Sequence, residues 1–294
     1  DEELKTTFLR GPLTSPASPP TNTGDGLKMA LTAGAGLGNM TSAWWIPTLS
    51  ESGARWPDNG APEKDAQRSV PVLIERTLPH SLMVNGQGKR FCNEATNYSA
   101  LAGAFHSFDP ATYGYNNLPA YLIVDSQYRG RYPIASVMPG DPSPDWIVEA
   151  PDLAGLAAAI GVDAAQLEAT VSRFNTHVEN INDPDFGRGV SAYDRFYGDR
   201  SRDGAAATLG KVEVGPFFAV RIDLGALGTN GGPRTNGMAQ VLNVYGAVIP
   251  GFYGAGNVIS NPTGSVYAGA GGTLGPALTF GYIAGQSVAR SEAH

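Results

Sequence analysis

The chain has 294 residues, a formal net charge of −7, and 42% hydrophobic against 16% charged residues, the balance of a globular protein with a core to bury. An acidic balance argues against nucleic acid as a partner, because phosphate binding needs a basic face. The lone Cys92 excludes an internal disulfide and fits a reducing compartment, and no apolar run reaches the roughly 18 residues of a membrane span.

The polar start, DEELKTTFLRGP, is unlike a signal peptide, so the chain is expected to be soluble and cytoplasmic. Its first twenty residues, with a Pro/Ser cluster, read as irregular. A helix opens at TGDGLKMAL, with Thr23 or Asp25 as the N-cap. VPVLIERTLPHSLMVN predicts one or two strands, GQGKRF a turn, and YLIVD (121–125) a short buried strand. Two helices follow, DLAGLAAAIG and DAAQLEATVSRFNTHVENIN, the second with Leu167, Val171 and Phe174 at core-facing spacing. From PFFAVRIDLGALGTNGGPRTNG onward the pattern is strands and glycine turns. GMAQVLNVYGAVIPGFYGAGNV predicts a hairpin leading into a buried strand, and a last helix runs from about Leu274 to Arg290. The whole reads as an α/β framework built from both ends around a middle insertion at 64–205.

Chemistry is constrained by what is missing. Four histidines and one cysteine without clustered spacing offer no metal site, and GxSxG, P-loop and HExxH patterns do not occur. The 38 glycines are about twice average usage. Neither GAGNVI (254–259) nor GAGGTLG (269–275) has the GxGxxG spacing of a dinucleotide loop. The second nevertheless opens a helix, whose first N–H groups and positive dipole end suit an electron-rich ligand edge.

Taken together, GTNGGPRTNGMAQVLNVYGAVIPGFYGAGNV and VYAGAGGTLGPALTFGYIAG resemble the flavin-binding end of the fumarate reductase-type FAD oxidoreductases, and within them the 3-ketosteroid Δ1-dehydrogenases. TGDGLKMALTAGAGLGNM with AWWIPT, then GKRFCNEATNY and SAYDRFYGD, agree in the same order, so the resemblance covers nearly the whole chain. It implies a partial FAD-binding, Rossmann-like domain at 1–63 and 206–294, with an α+β catalytic domain inserted at 64–205. It also implies that an N-terminal dinucleotide-binding segment, present in the family, is missing here and is supplied as a separate chain, cleaved or omitted.

The family's reaction places a C1–C2 double bond beside a 3-keto group, with a hydride passing to FAD. The resemblance assigns proton abstraction to Tyr98, and donation to the keto oxygen to the Tyr267 hydroxyl and the Gly271 N–H. Two alanines, Ala268 and Ala270, stand where the family usually has prolines. Flavin contacts fall to Gly256 and Asn257 of GAGN, to Gly272, Thr273 and Leu274 at the helix start, and to Asp25 of TGDG. Arg90, Asn93 and Glu94 are expected to organise a domain interface, and Trp44 and Trp45 to line the cleft or serve as core. Two other readings stand beside this one. One is a related flavoprotein acting on a Δ4-ketosteroid or another enone, although the glycine-rich stretch offers only Arg234 and no histidine to clamp a dicarboxylate. The other is a flavin-free half that binds its partner segment.

Overall fold

The computed structural model describes residues 1–52, 67–267 and 269–291. The chain divides into two compact units, Asp1–Trp45 with Ala226–His294, and Ile46–Gly225. Both divisions fall inside strands, Ala43–Ser52 and Phe217–Thr229. From the sequence, boundaries are expected at 63/64 and 205/206, and the first of these lies outside the described residues.

The second unit is built on a sheet ordered 67–71, 43–52, 217–229, 120–125 and 81–85, with 147–150 also paired to 217–229. Strand 120–125 lies antiparallel between 81–85 and 217–229, matching Leu122 to Met83 and to Val220. These strands are runs of β-branched and aromatic residues, and all five residues of Ser81–Asn85 are buried, as expected for strands covered on both faces. Helices Leu153–Ile160 and Ala164–Val178 cover the sheet, with Leu156, Leu167, Val171 and Phe174 in one core with Leu82, Val84, Ile123 and Ala219. Each helix is started by an aspartate. Asp152 accepts from the Gly155 N–H and Asp163 from the Gln166 N–H, both at 2.7 Å. Gly161 ends the first of them at φ 74°, a conformation that costs any other residue strain.

The first unit holds helices Glu2–Phe8, Asp25–Thr32 and Leu274–Ser291 around two small antiparallel ladders. Its compact centre is Ala30, Ala35 and Val241, packed by Ile249 and Phe252.

Three local expectations need correction. The first residues are helical rather than irregular, because the Asp1 side chain accepts from the Leu4 N–H at 3.0 Å and Glu2 and Glu3 face the positive end of the helix dipole. The next helix is capped by Gly24 at φ 83°, not by Thr23 or Asp25. Asp25 is its first residue and accepts from the Thr23 hydroxyl instead. The hairpin Gln240–Leu242/Val248–Tyr253 forms, but its second strand is largely exposed and runs into a 3₁₀ turn, Gly256–Val258, rather than a buried strand. Among the described residues no helix is long and apolar enough to cross a membrane.

Candidate active site

In the first unit the structure gathers the residues of the glycine loop. Tyr267 is buried, and its ring lies 4.7 Å from that of Trp44, tilted by 54°. On its other side Gly272 comes so close that a Cβ there would lie 2.6 Å from Tyr267 Cε2. The phenol is therefore wedged between an indole and a backbone. This is the reason for a glycine at 272, and it is steric. The reason at Gly269 and Gly271 is conformational: they adopt φ 130° and 88°, with open space where a side chain would stand.

The loop delivers the chain into the 18-residue helix Leu274–Ser291, tied by Gly272 N–H to Gly269 O at 3.0 Å and Gly275 N–H to Gly271 O at 2.8 Å. Among the described residues nothing accepts from the backbone N–H groups of Gly271, Thr273 or Leu274. These are the donors a helix start leaves open, and they carry its positive dipole end. The turn Gly256–Val258 packs against the same helix, since a Cβ on Gly256 would meet that of Ala277 at 3.8 Å. The start of the Asp25 helix reaches this turn too, a Cβ on Gly26 falling 2.7 Å from Val258 Cγ2. Gly256, Asn257, Gly272, Thr273, Leu274 and Asp25 thus share one region of the first unit. With its open N–H donors and close backbone approaches, that region fits an electron-rich, flat group such as a flavin edge. Trp44 was legible only as core or cleft. Its buried Nε1 has no hydrogen-bond partner among the described residues, although the ring stacks on Tyr267.

Tyr98 lies in the second unit and is buried. Arg90, Asn93 and Glu94, expected to organise a domain interface, are instead bonded within that unit. The Arg90 guanidinium donates to both Glu94 oxygens at 2.8 Å and to both Asp183 oxygens at 2.9 Å. Glu94 also accepts from the Met83 N–H at 3.0 Å and from Arg188 at 3.2 Å. Burial pushes the Glu94 carboxyl up, but Arg90 and Arg188 overcome this and hold it at about 2. Arg188, itself fully buried, donates to the carbonyls of Thr77, Leu78 and Ser81 and to the Thr208 hydroxyl. Asn93 donates to Asp194, which stands in the SAYDRFYGD segment. Asp183, Arg188 and Asp194 carry no local signature, and only the fold reveals them. Burial also pushes the Cys92 thiol well up, so it remains protonated.

Residues 8–274 match the family described as FAD binding domain. The chain is 43% identical over 98% of its length to 4-oxocyclohexanecarboxylate 2-dehydrogenase of Sinomonas cyclohexanicum, covering 49% of that protein. It is 40% identical over its full length to 3-oxosteroid 1-dehydrogenase of Mycolicibacterium smegmatis, covering 51% of it. Among solved structures, 3-ketosteroid Δ1-dehydrogenase from Sterolibacterium denitrificans, in complex with 1,4-androstadiene-3,17-dione, superposes with a TM-score of 0.89 at 35% identity, over 99% of this chain and 51% of that one. The chain thus spans about half the length of the curated relatives it matches. The glycine-shaped loop, the open helix start and this match over residues 8–274 lead to one assignment: the chain belongs to the FAD binding domain family.

Proposed function

We propose that this chain carries the reacting residues of an FAD-dependent oxidoreductase that introduces a C1–C2 double bond into 3-ketosteroids. Bound FAD supplies the hydride acceptor. Tyr98 takes the proton from C2, while the Tyr267 hydroxyl and the Gly271 N–H donate to the 3-keto oxygen and stabilise the enolate that forms. Gly256, Asn257, Gly272, Thr273, Leu274 and Asp25 hold the flavin. In this reading the first unit is the flavin-binding part and the second the catalytic part. The observation that carries it is the wedged, buried Tyr267 directly preceding a loop of open N–H donors. A second reading, a cyclohexanone carboxylate as substrate, is favoured by the 43% identical relative and uses the same chemistry at a ring ketone.

The last helix supports a further partner. Leu274, Leu278 and Tyr282, at i, i+4 and i+8, are 69%, 75% and 69% exposed and form one apolar stripe. With relatives about twice as long, the occupant of this stripe is a dinucleotide-binding segment outside these 294 residues.

One anaerobic experiment tests both statements. The visible spectrum is recorded for this chain alone and for the chain co-produced with a dinucleotide-binding segment, before and after adding androst-4-ene-3,17-dione or 4-oxocyclohexanecarboxylate. A flavin band that needs the segment and bleaches with the steroid is expected. Bleaching by the carboxylate alone selects the second reading, and no flavin band in either sample ends the flavin reading for this chain.

The wedge yields a companion prediction. Gly272→Ala must push the Tyr267 ring aside, so kcat/KM should fall by roughly 100-fold while flavin content is retained. Steady-state kinetics per bound flavin read this out, and unchanged kinetics would show that the phenol needs no such seat.

A further inference from the structure

Three guanidiniums, those of Arg76, Arg90 and Arg188, are buried near one another in the second unit, but only two carboxylates, Glu94 and Asp183, touch them. Both carboxylates are taken by Arg90 and Arg188. Arg76 is fully buried and meets only backbone: its Nε donates to Val72 O at 3.0 Å, and its Nη1 donates to the carbonyls of Glu94 and Thr96, the latter at 3.0 Å. Its Nη2 has no hydrogen-bond partner among the described residues. Burial lowers Arg76 to about 10, so it remains a cation at neutral pH.

A buried cation without a counter-ion is an expensive way to close a loop, since apolar residues of similar volume often serve stability as well or better. What Arg76 grips explains its presence. Glu94 and Thr96 bracket Ala95, and Tyr98 follows two residues later. The same segment is tied from within by side chains. Asn93 Oδ1 accepts from the Ala95 N–H at 2.9 Å, and Asn97 Oδ1 accepts from the Ser99 N–H at 2.9 Å and the Ala100 N–H at 3.4 Å. The phenol therefore stands on two successive asparagine turns whose carbonyls are clamped from beneath by one guanidinium.

We propose that Arg76 is a positioning residue for Tyr98, its guanidinium fixing the carbonyls of Glu94 and Thr96 so that the phenol is presented in one orientation. The proposal rests on the reading of Tyr98 as the base. Proton abstraction beside a ketone depends on a near-attack geometry, and a displacement of about 1 Å costs on the order of 100-fold in rate. A lysine carries the same charge on a flexible stem but lacks the planar fork that spans two carbonyls.

The test uses the flavin-loaded enzyme with Arg76→Met, Arg76→Lys, Asn97→Ala and Tyr98→Phe. Arg76→Met should lower kcat per bound flavin by roughly 100-fold with KM within about twofold, and Arg76→Lys should restore part of the loss. A role in folding alone predicts lower yield and Tm but an unchanged kcat per bound flavin, and that result overturns the proposal. If Arg76→Met gives no soluble flavoprotein, Asn97→Ala carries the test. It loosens the same segment at an exposed turn and should lower kcat by about tenfold at constant KM, whereas unchanged kcat overturns the proposal. Tyr98→Phe separates the two layers. A Tyr98→Phe enzyme that still reduces its flavin removes the base reading and this proposal with it. An inactive Tyr98→Phe beside a fully active Arg76→Met removes this proposal alone.

Discussion

Tyr267→Phe is expected to lower kcat/KM for the ring ketone by roughly 10²–10³-fold, the scale measured when one preorganised donor to a developing oxyanion is removed. The expectation follows from how the ring is held. Its packing against Trp44 and its seat over Gly272 involve the ring carbons, which phenylalanine keeps. Stability and flavin content should therefore change little, and the loss should appear in the rate of flavin reduction. The Gly271 N–H stays in place, so activity should be reduced, not abolished. The informative comparison is single-turnover flavin bleaching in wild type and variant at saturating ketone. Equal rates would place the ketone oxygen away from Tyr267 and require another pair of donors.

Glu94→Ala should unfold the second unit more readily than any other single side-chain truncation near the site. Glu94 is fully buried and neutralises Arg90 and Arg188 while accepting from the Met83 N–H. Removing it leaves Arg188 without a carboxylate contact and the Met83 N–H without this acceptor, and breaking such a buried pair from one side costs about 3–5 kcal/mol. In a unit of this size that lowers Tm by on the order of 10 °C. The pH dependence follows from the depressed carboxyl. In the fold Glu94 titrates at about 2, against an ordinary value of 4.5. Its stabilisation is complete above the ordinary value and is lost as pH falls from about 4.5 towards 2. Wild-type Tm should therefore drop steeply across this window and that of Glu94→Ala much less, as calorimetry at stepped pH would show. Parallel slopes would mean that other carboxylates dominate acid unfolding.

What the sequence made legible was local. Asp152 and Asp163, each followed by an apolar helical repeat, announce the two helices of the second unit, and Leu167, Val171 and Phe174 do lie in its core. Strand 120–125 and the last helix were legible for the same reason, their period. The helix Glu2–Phe8 was not, because its signal is one capping aspartate rather than an apolar stripe. The charge cluster was invisible because its partners are far apart in sequence, 93 residues between Arg90 and Asp183 and 110 between Leu78 and Arg188. In VPVLIERTLPH, Arg76 interrupts an apolar run, which signals that a charge is being buried but not what it grips. Glycine 272 was legible as part of a flavin loop, while its steric reason, the ring of Tyr267, needed the fold. The roles of Tyr98 and Tyr267 came from resemblance, since neither tyrosine differs locally from an ordinary buried one.

The last helix has a thermodynamic consequence of its own. Of its described side chains only Ser287 is buried, by a hydroxyl donating to Met238 O, so the helix draws little cohesion from the unit that carries it. An element with so few buried contacts opens locally at small free-energy cost, well before the unit as a whole. Its residence in the closed form is then governed by mass action from whatever occupies its apolar stripe and its N-terminal donors. Amide exchange along 274–291 would accordingly follow the concentration of those ligands, while the second unit's strands keep their own, slower clock.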